Sequence, residues 1–232
     1  MIKQANCWAQ LRHLVMISYR RWYIDRWLKK NQNAMAGRVL DIGGKKSNPR
    51  GEFRPPKENC LRWDYVNIDP STNPEFLCTG DSIPLENERI DCALLCEVLE
   101  HVEKPLDILR ETHRLLRPEG VLLLTMPFLV PVHADPCDFH RWTDSMLKQA
   151  LLESGFGEIS VEPMGGLVPV ISDIVRGWTE SQYFWNKPVR RKIYRLFVDL
   201  THLLRFVLSP NPLSSRIITT GWGVVAKKTS LG

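Results

Sequence analysis

Apolar positions in this chain fall into short unbroken runs, and between them lie stretches with the spacing of amphipathic helices. Arg38 to Ile42, Tyr65 to Ile68, Phe76 to Cys78, Asp91 to Cys96 and Val121 to Met126 read as strands. The run from Asp91 to Cys96 shows no polar alternation, as expected of a central parallel strand covered on both faces. Pro105 opens a helix through Leu116, with Leu106, Leu109, His113 and Leu116 on one stripe and Arg114 and Arg117 near its C-terminal end; Pro118 and Gly120 stop it. Thr143 is placed to cap a further helix that ends at Ser154-Gly155. Glu158 to Glu162 and Gly221 to Lys228 supply a sixth and a seventh strand. Strands that alternate with helices at this spacing predict a parallel, doubly wound sheet.

Two segments fall outside that rhythm. Residues 4 to 30 carry Trp8, Leu11, Leu14, Tyr19, Trp22 and Trp27 at helical spacing with arginines and lysines between them. We read residues 1–35 as a basic amphipathic helical segment that packs on the core or caps a cleft, and 36–232 as the main domain. The second is a helical insertion at about 164–215, before the last strand, in which Val189 to Leu208 forms a strongly apolar amphipathic helix. The stretch from Lys45 to Lys57 holds three prolines and one glycine, which rules out a long helix after the first strand.

The order of motifs carries the functional reading. Val39-Leu-Asp-Ile-Gly-Gly44 is an apolar run ending in an acidic residue and paired glycines. Tyr65-Val-Asn-Ile-Asp69, Gly80-Asp81-Ser82-Ile83-Pro84-Leu85, Ile90 through Glu97-Val-Leu-Glu-His101-Val and Leu115-Leu-Arg-Pro-Glu-Gly120 through Met126-Pro follow it. Together they resemble the class I S-adenosylmethionine-dependent methyltransferases, of the large group acting mostly on small molecules, lipids and sugars. The resemblance covers roughly residues 36 to 163 and the final strand. It implies an α/β, Rossmann-like, mostly parallel seven-stranded sheet with helices on both faces and the last strand antiparallel. S-adenosyl-L-methionine is the implied cofactor. Asp41 would then order the first loop and help bind the methionyl ammonium, while Gly43 and Gly44 let the backbone approach the cofactor. By the same resemblance Asp69 would accept the ribose hydroxyls and Asp81 the adenine amino group. Ser82 and Ile83 would lie along the ring, with Cys96 and Glu97 lining the methionyl side. A nicotinamide-dependent oxidoreductase is disfavoured, because the first loop lacks Gly-x-Gly-x-x-Gly spacing. The irregular loop after Gly44 keeps open a non-catalytic subunit of the same fold.

The segment from Pro127 to Thr143 follows the fifth strand, at the sheet edge where ligands bind. His133 is the candidate general base, since an imidazole titrates near neutral pH and a hydroxyl nucleophile must lose a proton during transfer. Asp138, His140 and Arg141 are candidate substrate-binding residues, and Arg141 could instead pair with Asp138 to hold the loop. His133, Asp135, Cys137 and His140 could be metal ligands, but the prolines Pro131 and Pro136 of this loop and the lack of a second ligand cluster argue otherwise, so no metal is expected. His101 is expected to be structural, near the cleft floor.

Composition adds limits. The chain has 232 residues, 44% hydrophobic and 25% charged, which suits one folded domain with insertions. Its net charge of +5 favours anionic partners mildly, and Lys45, Lys46, Arg50, Arg54 and Lys57 form a basic loop beside the expected cleft. Six cysteines without a Cys-x-x-Cys pair are expected to be reduced thiols, which points to the cytoplasm. The expected partner is a small-molecule, glycan or lipid-linked acceptor. Nucleic acid is not expected, because the basic residues follow no recognisable binding motif. Peripheral contact with the inner face of a membrane and a homodimer both stay open.

Overall fold

The computed structural model describes residues 18–47, 51–181 and 216–229, with residues 188, 189, 192–194, 196 and 197 between the last two stretches. The expected helix over residues 4 to 17, Arg50 of the basic loop and most of the helix expected from Val189 to Leu208 lie outside the described residues.

The strands are β1 (Gly37–Ile42), β2 (Cys60–Asn67), β3 (Phe76–Leu77), β4 (Ile90–Cys96), β5 (Leu116–Pro127), β6 (Phe156–Met164) and β7 (Gly221–Lys228). They form one seven-stranded sheet in the order β3-β2-β1-β4-β5-β7-β6. Pairing is parallel from β3 through β5, and β7 runs antiparallel to β5 and β6. The expected architecture is therefore the observed one. β2 starts earlier than the apolar run at Tyr65 because its polar first half pairs with Gly37 to Leu40. β5 likewise begins at Leu116, with Leu116 registered on Ile90 ahead of a shift in the ladder.

Strand periodicity sends alternate side chains to opposite faces, and each face has its own apolar cluster. Leu40, Ala93, Leu95, Leu122 and Leu124 bury one face beneath two helices, α2 (Pro105–Leu115) and α3 (Asp144–Glu153). The buried side of α2 is Ile108, Leu109, Thr112 and Leu115, rotated from the stripe expected at Leu106 and His113. Both sets have helical spacing, and packing against the sheet selects the one without a histidine. Thr143 caps α3 as expected, its Oγ1 accepting the Met146 N–H at 3.3 Å.

The opposite face carries Val39, Trp63, Tyr65, Cys92, Leu94 and Leu123. Its cover comes from helix α1 (Tyr19–Lys30), which buries Ile24, Trp27 and Leu28 there. Between β1 and β2 the described residues hold only a single 3-10 turn, Lys57–Asn59, so a helix from before β1 takes the place of a crossover helix. The described part of the N-terminal segment, helix α1, is thus part of the core layer. Helix α4 (Leu167–Ser181) packs beside α1. The carboxylate of Asp173 on α4 accepts the Tyr19 and Arg20 N–H groups at 3.0 and 2.9 Å, which satisfies the open first turn of α1. Among the described residues no helix is long and apolar enough to cross a membrane.

Candidate active site

A cavity of about 1100 Å³ opens at the C-terminal ends of β1 and β4 and is roofed by α1 and α4. Asp41, Gly43, Gly44, Cys96, Glu97 and His133 all line it. Because β4 lies between β1 and β5, the glycine loop and the His133 loop reach the cavity from either side of Cys96 and Glu97.

The floor is the turn after β1. Gly43 has φ +81°, and a Cβ there would come within 2.6 Å of Val98. At Gly44 a Cβ would stand 2.3 to 2.5 Å from the Asp41 carboxyl group, so only glycine lets this turn close over that carboxylate. β2 locks the turn from the side. The Gly43 N–H donates to the Val66 carbonyl at 2.8 Å, and the Asn67 amide donates to the Gly43 and Gly44 carbonyls at 3.2 and 3.0 Å. Burial pushes Asp41 up to about 7, against the pull of Trp63, Lys57 and Arg21.

The wall is built differently. Glu97 follows β4 with φ +56°, a left-handed conformation unusual for a residue with a side chain. Arg20 of α1 grips it with two nitrogens, Nη2 to Oε1 at 2.5 Å and Nε to Oε2 at 3.1 Å, and the Thr125 hydroxyl donates at 2.9 Å. Burial would raise the Glu97 carboxyl, but the Arg20 charge and these hydrogen bonds outweigh it and hold the group below its usual range. Burial also pushes Asp173 up to about 6, despite the two N–H groups it accepts.

The third part is the loop after β5. Its Asp138 accepts the His133 N–H at 2.9 Å and forms a two-point ion pair with Arg141. Phe139 N–H donates to the Glu100 carbonyl at 2.7 Å, and His101 Nδ1 lies 2.5 Å from the Cys137 carbonyl oxygen. These contacts fold the loop back onto the 3-10 turn Leu99–His101 and stand the His133 ring edge-on to His101, centroids 5.3 Å apart. Glu100 is fully buried, and its carboxyl is pushed up to about 8 by burial and then by the nearby Glu97.

The remaining sequence candidates sit elsewhere. Asp69 follows β2 and caps the 3-10 turn Pro70–Thr72, its Oδ1 accepting the Ser71 N–H at 2.9 Å. Asp81 and Ser82 are exposed on the turn after β3, while Ile83 is buried in the main core and gives its N–H to Glu111 at 2.8 Å. None of these four lines the cavity, and neither do Asp138, His140 or Arg141. Asp138 and Arg141 are committed to each other, and His140 packs by Trp142 with Nε2 buried. Arg20, Asn67 and Asp173 were not legible as site residues, because an arginine in an amphipathic helix and an asparagine in a strand carry no local signal of their distant partners.

The comparisons agree with this geometry. Residues 16–156 match the family model of the methyltransferase domain. An uncharacterised methyltransferase of Mycobacterium ulcerans is 26% identical over 116 residues, covering 44% of this chain and 44% of that protein. The chain spans less than half the length of the curated relatives it matches. A S-adenosylmethionine-dependent methyltransferase from Archaeoglobus fulgidus superposes with a TM-score of 0.54 at 18% identity, covering 90% of this chain and 94% of that one. The 1,6-didemethyltoxoflavin-N1-methyltransferase of Burkholderia thailandensis, solved with S-adenosylhomocysteine, gives 0.52 at 14% identity over 90% and 81% of the two chains. S-adenosylmethionine is the cofactor of this class I fold, and the turn at Gly43 and Gly44 fits it: a cradle that a Cβ would fill, beside a buried carboxylate suited to an ammonium group. With that cradle, the sheet order and a family match over more than half its length, the chain belongs to the methyltransferase-domain family.

Proposed function

We propose that the chain transfers a methyl group from S-adenosylmethionine to a hydroxyl oxygen of a sugar, glycan or lipid-linked small molecule. The observation that carries the reading is that Asp41 and His133 line one cavity from opposite sides of β4. The cofactor brings the electrophilic methyl group, and the chain supplies binding, orientation and a place for a proton. Asp41, Gly43 and Gly44 hold the methionyl end. An acceptor hydroxyl beside His133 attacks the methyl carbon through an oxygen lone pair as the carbon–sulfur bond breaks onto sulfur, and the hydroxyl proton passes to the imidazole.

Two features support the acceptor class. Lys45 and Arg54 line the same cavity, beside Lys46 that pairs with Glu75, which suits an acceptor carrying phosphate or carboxylate. α4 turns Leu167, Ile171, Ile174 and Trp178 to solvent at helical spacing while its Asp173 and Gly177 line the cavity, which suits an acceptor with an apolar tail.

Calorimetric titration with S-adenosylhomocysteine, followed by turnover on sugar and lipid-linked acceptors, tests the reading. Binding in the micromolar range is expected. His133→Ala should lower turnover by roughly 10² to 10⁴ with cofactor affinity kept. Unchanged turnover in that variant would remove His133 from the chemistry, and failure of the folded chain to bind would remove the cofactor.

A further inference from the structure

Three side chains able to ligate a cation converge at one margin of the cavity. Both oxygens of fully buried Glu100 lack a hydrogen-bond donor. His101 Nδ1 faces the Cys137 carbonyl, which can only accept, so Nδ1 carries the ring hydrogen and Nε2 presents a bare lone pair. That Nε2 lies 3.6 Å from Glu100 Oε1, too far for a hydrogen bond. His133 repeats the pattern: its Nδ1 faces the Pro131 carbonyl at 3.3 Å, which leaves its Nε2 free. One ligating atom from each of Glu100, His101 and His133 falls within 4.8 Å of the others. Of the three, Glu100 is the buried one, and a buried carboxylate without a donor is costly unless a cation sits beside it.

We propose that Glu100, His101 and His133 bind a divalent transition-metal ion. In His101 the ring nitrogen turned away from Glu100 faces a carbonyl, which is how metal-binding imidazoles are held in one tautomer, and His133 Nδ1 also faces a carbonyl. The separations are slightly wider than the ~3 to 4 Å between ligands that bond lengths of ~2.0 to 2.2 Å imply. Closing them asks only for a shift of the half-exposed His133, since Glu100 and His101 are fixed on one 3-10 turn. Two imidazoles and one carboxylate favour zinc, iron(II) or manganese(II) over magnesium or calcium, which prefer all-oxygen sites.

His101 and His133 line the cavity, so the open coordination positions face the acceptor. The ion's use, though not its binding, rests on the reading of O-methyl transfer. A hydroxyl coordinated to the ion loses its proton to solvent water more readily, and its oxygen keeps the electron pair for attack on the methyl carbon. With the ion bound, this replaces proton transfer to the imidazole: His133 holds the ion, and the ion does the acidifying.

The test is calorimetric titration of untagged, chelator-stripped chain with zinc chloride, and with magnesium chloride as the control. One zinc per chain with micromolar or tighter affinity is expected, weakened at least tenfold in His101→Ala and in Glu100→Gln, with magnesium weaker by a similar factor. Glu100→Gln keeps the shape of the buried side chain, and circular dichroism establishes that each variant is folded. A folded wild type without saturable zinc binding would overturn the site, and so would isotherms unchanged by both substitutions. Titration of the same stripped sample with S-adenosylhomocysteine separates the two readings. Cofactor binding without zinc overturns the ion and leaves methyl transfer standing, whereas zinc binding without cofactor does the reverse.

Discussion

Asp41 and Glu97 stand at equivalent places, just inside and just past the C-terminal ends of adjacent parallel strands, and both line the same cavity. Their surroundings treat them oppositely. Asp41 forms no ion pair among the described residues and is pushed up to about 7 by burial, whereas Glu97 is gripped by Arg20 and held below its usual range. The comparison separates two jobs. A buried carboxylate without a close cation is held ready for a positive ligand, and a neutralised one is part of the frame that fixes α1 over the site.

The largest effect is expected where the frame is broken. Arg20→Ala removes both nitrogens from Glu97 and leaves a carboxylate whose side chain is only 21% exposed without its cation. Breaking a buried pair from one side costs about 3 to 5 kcal/mol. For a domain of this size that lowers the melting temperature by roughly 10 °C. Arg20→Met combined with Glu97→Gln should recover most of the loss, because no charge is then stranded. A single variant with an unchanged melting temperature would show that the pair does not hold α1 in place.

A smaller effect, confined to binding, is expected at the floor. Gly44→Ala places a methyl group inside contact distance of the Asp41 carboxyl, so the turn must open or Asp41 must rotate away. A perturbation of ~1.5 to 3 kcal/mol corresponds to roughly 10- to 100-fold weaker cofactor binding. The melting temperature of the free chain should move little, since the turn borders the cavity and can relax into it. Unaltered affinity for S-adenosylhomocysteine would place the cofactor away from this turn.

The same contrast explains what could be read from the sequence. The floor was legible because its chemistry is local: Asp41, Gly43 and Gly44 are neighbours, and the strand that carries them is an unbroken apolar run. The seven-stranded, mostly parallel sheet and the antiparallel β7 followed from the resemblance, and the lack of a long helix after β1 from its prolines. The wall was not legible. Arg20 meets Glu97, Asp173 meets the first turn of α1, and Glu100 meets the His133 loop only after the sheet and both roof helices have packed. A basic residue on an amphipathic helix looks like a solvated charge until its partner is known. The rotated stripe of α2 has the same origin, since two apolar registers share one helical period and the sheet chooses between them.

The finest distinction between floor and wall is a pH dependence. An ammonium group of the cofactor requires Asp41 to be ionised, and in the free chain that carboxyl gives up its proton only near pH 7. Below that pH, binding must first expel the proton, so affinity falls as pH falls; above it the carboxylate is already formed and affinity levels off. Between pH 8 and pH 6 the affinity for S-adenosylhomocysteine should drop about tenfold. Glu97 adds nothing in this window, because Arg20 keeps it ionised throughout. Calorimetry at pH 6, 7 and 8 and constant ionic strength measures the slope, and repeating the pH 7 titration in buffers of different ionisation enthalpy counts the protons released. Asp41→Asn should bind weakly and without slope. A flat profile for the wild-type chain would mean that the ammonium does not meet Asp41, and would shift its partner to another carboxylate of the cavity.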